Sequence, residues 1–195
     1  MKKKTSLSKS NIFYFATKEL SQDAFLSWLL CGYNSKEEDV KFFSRLLINE
    51  IFNNQFSDSD FDNISRFAVD TQFHSIDIAT KFTINDKTYA FLIEDKVGSK
   101  IHNKSGKKIS QLEEYKKILE EEYAKDANVY KCVLYTVLDL SEFDKVSCDK
   151  QGYKIISLSD IYKIFNSEKN VIVNRYLKDY SEYVSTIFDN HISKH

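Results

Sequence analysis

Apolar residues change their spacing twice along this chain. Over residues 18–31, KELSQDAFLSWLLC, they recur at helical intervals, and Leu20, Ala24, Trp28 and Cys31 fall on one face of an amphipathic helix. A second helical stripe, Val40, Phe43, Leu47 and Ile51, runs through 38–54. The period then drops to two, and strands are predicted over about 66–73, 76–84 and 87–97. A helix is predicted at about 109–125, after a basic loop over 98–108. VYKCVLYTVL, 129–138, is nearly all apolar and reads as a strand buried on both faces. YKIISL, 153–158, reads as another strand, with Ser159 or Asp160 capping a short helix behind it. The last predicted element is a long amphipathic helix near 170–191, with Val173, Leu177, Tyr180, Val184, Ile187 and Phe188 inward. Strands alternating with helices predict an α/β class, with a central mixed β-sheet flanked by α-helices.

Length and composition narrow this picture without changing it. A chain of 195 residues fits one domain spanning 1–195 and can bury a substantial core. Fifteen Phe and twelve Tyr argue against disorder. With no Pro and four Gly, most turns fall to Asn, Asp and Ser. A formal net charge of -1 gives no global support for nucleic-acid binding, which leaves that role to local patches. Cys31, Cys132 and Cys148 are widely spaced, show no zinc pattern and fit a reducing, cytoplasmic setting. The basic start MKKK leads into an apolar run too short for a signal peptide, and no window of 18 apolar residues suggests a membrane span. SDSDFDN, 57–63, opens like a calcium loop, but Asn63 stands where Gly is needed and Val69 where Glu is needed. It reads as a solvated acidic connector.

The candidate chemistry sits at the end of AFLIEDKVGSK, 90–100. Asn85-Asp86 can form a two-residue hairpin turn, because both residue types tolerate positive φ. Counting outward from that turn pairs Ile84 with Lys87, Ile78 with Ile93, and Asp77 with Glu94. Asp77, Ala79, Leu92, Glu94 and Lys96 then share one sheet face, opposite the Ile78, Phe91 and Ile93 face. Directly opposed carboxylates repel, so something must compensate. A hard divalent cation held by one or two carboxylates would do so, with Lys96 sharing the neutralisation. A plain surface ion network is the other reading of the same hairpin. Asp95 fits neither, since alternation sends its side chain to the apolar face.

Asp77, sixteen residues, then Glu94-Asp95-Lys96 resembles the PD-(D/E)XK nuclease superfamily. IEDKVGSK followed by QLEEY resembles its branch with a Gln and, four residues on, a Tyr in the helix after the third strand, here Gln111 and Tyr115. ATKELSQDAFLSWLL is similar to the first helix of a subgroup of small bacterial members, and the likeness covers about residues 12–138. Ile76 stands where the family often has Pro. The resemblance implies a restriction-endonuclease-like core and a nuclease that uses Mg²⁺ or Mn²⁺. It implies Asp77, Glu94 and the backbone carbonyl of Asp95 as metal ligands, and Lys96 as the group that positions water and steadies phosphate charge. Gln111 and Tyr115 would line the site, and Glu19 would approach from the first helix as a ligand or orienting group. Nucleic acid is the implied partner, DNA ahead of RNA, in defence against foreign DNA or in DNA processing. Homodimeric assembly is compatible with this reading. The acid-free segment 97–112 carries Lys100, Lys104, Lys107 and Lys108, beside His102, and reads as a phosphate-contacting loop. The alternative from another class is a catalytically silent module that binds nucleic acid or protein on the same fold.

Overall fold

The structure is a computed structural model that describes residues 6–15, 19–96, 111–137, 140–166 and 171–192. Its frame is a five-stranded sheet in the order β1-β2-β3-β4-β5: Ile64–Phe73, Ile76–Ile84, Lys87–Lys96, Val129–Thr136 and Tyr153–Ile156. The first three strands are an antiparallel meander, while β3, β4 and β5 run parallel. Parallel neighbours need crossovers. These are supplied by α4 (Gln111–Ile118), which widens into a π-helical turn at Leu119–Tyr123, and by α5 (Glu142–Gln151). The remaining helices are α1 (Glu19–Cys31), α2 (Glu38–Ile51), α3 (Asp58–Asp62), α6 (Leu158–Asn166) and α7 (Arg175–Ile192).

Strand alternation divides the core in two. Ile78, Phe82, Phe91, Ile93, Val133, Tyr135 and Ile156 point to a large apolar layer built with α1, α2, α6 and α7. Ala79, Ala90, Leu92, Cys132 and Leu134 point the other way, to Leu112, Tyr115 and Leu119 on the α4 side and Cys148 of α5. Ile76, the first residue of β2, joins this second core rather than the Ile78 layer, next to the turn where His74 and Ser75 take positive φ.

Several expectations are corrected. On α1 the buried stripe is Gln22, Asp23, Phe25, Leu26, Leu29 and Leu30, while Leu20 and Cys31 are exposed. Apolar residues lie nearly all round this helix, so periodicity alone does not select a face. α2 stops at Ile51 rather than 54, because Asn53 and Asn54 both adopt left-handed φ of 58°. The 57–63 segment is a helical turn rather than a connector. Ser57 and Asp60 form a reciprocal capping box, and Asp58 and Asp62 pair with Arg45 at 3.2 and 2.6 Å. α5 lacks an apolar stripe and was not predicted. Its signals are end signals: the Ser141 side chain accepts from the Asp144 N–H, and Gly152 closes the helix at φ 72°. α6 is capped by Ser157, with Asp160 as its reciprocal partner, two or three residues earlier than expected. Asn174 caps α7, which leaves Val173 outside the helix and 88% exposed. Leu177, Tyr180 and Val184 are inward as expected.

Candidate active site

Geometry at the carboxyl end of β3 starts with the hairpin. Asn85 and Asp86 adopt φ of 47° and 63°, the left-handed conformation that a tight two-residue turn requires. Ile84 pairs with Lys87 and the ladder runs without a bulge to Ile78 and Ile93. Beyond that last ladder pair the Asp95 N–H donates to Asp77 Oδ2 at 2.8 Å, and Asp77 lies against Glu94. The counted register is therefore the observed one.

Glu94 is 1% exposed and Lys96 is 6% exposed. Lys96 Nζ lies 2.6 Å from Glu94 Oε1. Gln111, the first residue of α4, donates from Nε2 to the same oxygen at 2.9 Å and to the Tyr115 hydroxyl at 3.1 Å. Tyr115 packs in the α4-side core, so it both fills space and steadies Gln111. Burial, and next the neighbouring Asp77 carboxylate, push the Glu94 carboxyl up to about 8, with Lys96 opposing both. In the absence of a cation Glu94 thus holds a proton at neutral pH.

Among the described residues, no donor side chain or N–H reaches two buried oxygens on this face, Glu94 Oε2 and Gln111 Oε1. Such atoms are costly when left desolvated. An all-oxygen set with a carboxylate pair and orphan acceptors fits a hard divalent cation. No third carboxylate joins them: among the described residues, no three His, Cys, Asp or Glu side chains converge on a metal position. Asp95 is absent from that set because its side chain lies across the sheet, fully buried, where Gln22 Nε2 donates to Oδ1 at 2.6 Å.

Asp77, Glu94, Lys96, Gln111 and Tyr115 are thus brought together. Glu19 is the first residue of α1, and its side chain lies outside the described residues, as do Lys100, Lys104, Lys107, Lys108 and His102. Two features escaped sequence reasoning. Gln22 is one, and its only trace was Asp95 itself, a charge on an apolar face that demands a partner. The other is a cavity of about 330 Å³ lined by Thr136, Lys145, Ser157, Phe188 and His191 among others. It adjoins the site, since Thr136 pairs with Lys96 in the sheet and donates to its carbonyl at 2.9 Å.

A family model for the PD-(D/E)XK nuclease superfamily matches residues 10–185. The chain belongs to the PD-(D/E)XK nuclease superfamily. Neither a curated protein nor a solved structure matches it. The sheet of this PD-(D/E)XK protein, mixed and helix-flanked, has the restriction-endonuclease-like α/β fold. Superfamily membership points to a nuclease acting on nucleic acid, and PD-(D/E)XK nucleases generally use divalent metals. Among the described residues no helix is long and apolar enough to cross a membrane.

Proposed function

We propose that this chain is a Mg²⁺- or Mn²⁺-dependent nuclease that hydrolyses phosphodiester bonds in DNA. The observation that carries the reading is the carboxylate pair of one hairpin, Asp77 and Glu94, with Lys96 2.6 Å from a buried Glu94 whose carboxyl burial and Asp77 raise well above its ordinary range. Asp77, Glu94 and the Asp95 carbonyl would hold the cation. When bound, it supplies Lewis-acid stabilisation of phosphate charge and lowers the pKa of a water nucleophile.

The chain's own groups do the rest. The Asp95 N–H fixes one oxygen of Asp77. Gln111 orients Glu94, and Tyr115 orients Gln111. Lys96, held 2.6 Å from Glu94, brings its amino group to where it would oppose charge developing on the phosphate. Glu19 is a further candidate ligand or orienting group. Lys100, Lys104, Lys107 and Lys108 would grip the DNA backbone without reading sequence. The cavity beside Thr136, mainly apolar with polar groups at its rim, suits a nucleotide flanking the scissile phosphate.

Purified protein incubated with plasmid, single-stranded DNA and RNA, each with Mg²⁺ or Mn²⁺, tests the reading. DNA is cleaved, and cleavage is lost in Asp77→Ala and Lys96→Ala. Cleavage that persists unchanged in both variants refutes the assignment, and preferential cleavage of RNA refutes the substrate.

A further inference from the structure

Asp95 stands between the two cores. Its backbone serves the candidate site, since its N–H donates to Asp77 Oδ2 at 2.8 Å. Its side chain serves the opposite face, where it is fully buried. There Gln22 Nε2 donates to Asp95 Oδ1 at 2.6 Å, and Gln22 Oε1 accepts from the Tyr180 hydroxyl at 3.3 Å. The Tyr180 hydroxyl lies 2.8 Å from that of Tyr135, the residue paired with Asp95 across β3 and β4. Four side chains, from β3, α1, α7 and β4, are therefore linked in one polar chain. None is more than 3% exposed. Tyr180 is held further by stacking on Phe25 of α1 at 4.0 Å.

The residue types follow from the bonding. A side-chain amide can donate to a carboxylate and accept from a hydroxyl at once. Glu in place of Gln22 would set a second carboxylate against Asp95, and an apolar residue would leave Asp95 buried without this donor. A buried charge that loses a donor costs more than a neutral group does, and here the available relief is movement of the strand end toward water. That movement would carry with it the Asp95 peptide, whose N–H holds Asp77. We propose that Gln22 is a positioning residue: through Asp95 it clamps the end of β3 to α1 and α7 and so fixes the peptide that orients Asp77. The consequence for metal binding and cleavage rests on the nuclease reading, whereas the tether itself does not.

The test uses full-length ¹⁵N-labelled protein without metal, with Gln22→Leu as the variant that preserves bulk and Tyr180→Phe as one that removes a single hydroxyl. In both, the Asp95 amide resonance shifts and its hydrogen exchange quickens, about tenfold in Gln22→Leu and less in Tyr180→Phe, while amides of the distant Asn85-Asp86 turn stay put. The same variants bind Mn²⁺ more weakly, about tenfold for Gln22→Leu, and lose kcat on plasmid DNA with KM unchanged. A role confined to packing would lower the melting temperature and move none of these readouts. An Asp95 amide unchanged in folded Tyr180→Phe and in Gln22→Leu overturns the tether. Wild-type protein that neither binds Mn²⁺ nor cleaves DNA, with an Asp95 amide that still responds to Gln22→Leu, upholds the tether and overturns the nuclease reading alone.

Discussion

The two faces of β3 at its carboxyl end both carry buried polar groups, with opposite chemistry. On the α4 face, Asp77 and Glu94 crowd like charges together, and Lys96 offsets them only in part, so the Glu94 carboxyl is raised. On the α1 and α7 face, Asp95, Gln22, Tyr180 and Tyr135 form a continuous chain of hydrogen bonds with a single carboxylate in it. Burial alone therefore does not mark a site. What marks it is unresolved electrostatics that a bound cation would relieve, set against a network that already holds itself in place.

The largest expected effect breaks the first face. Glu94→Gln and Asp77→Asn cut DNA cleavage by about a thousandfold or more, since each removes a carboxylate proposed to hold the cation. Glu94→Gln nevertheless raises the melting temperature in metal-free buffer above pH 8, where the wild-type carboxyl must take on the charge that burial and Asp77 disfavour. Lys96→Met costs about a hundredfold in kcat, measured with plasmid at saturating Mn²⁺. Next comes pH. The folded Glu94 value, about 8, lies above its ordinary 4.5, so its stabilising contribution is complete below 4.5 and vanishes as pH rises through 8. Metal-free protein should lose about 5 kcal/mol across that window in chemical denaturation, Glu94→Gln should flatten the loss, and Mn²⁺ should stabilise more as pH rises. Gln111→Ala lowers kcat about tenfold by freeing Glu94. The smallest effect belongs to the second face: Tyr135→Phe removes about 1 kcal/mol of stability and barely alters cleavage, because the direct partner of Asp95, Gln22, stays in place. If Tyr135→Phe cuts cleavage more than Gln111→Ala does, the distinction between the faces collapses.

Much of this was legible before any coordinates. The Asp77–Glu94 pairing needed only a two-residue turn and strand alternation, both local to twenty residues. Gln111 and Tyr115, at i and i+4, had to share a helix face. The capping pairs at Ser57, Ser141 and Ser157 were present but unused, because a cap shows itself by side-chain type rather than by apolar period. α5 was passed over for the same reason.

The sequence by itself determined the hairpin, its register, and which of Glu94, Asp95 and Lys96 share a face with Asp77. These follow from steric preferences of residues close in the chain, where little entropy separates contact from coil. Tertiary structure alone decided that Gln111 reaches Glu94, that α1 turns Gln22 rather than Leu20 inward, and that Asp95 meets a residue 73 positions away. Those outcomes depend on which helix faces the sheet buries, a competition among the apolar surfaces of the whole chain that no local pattern encodes.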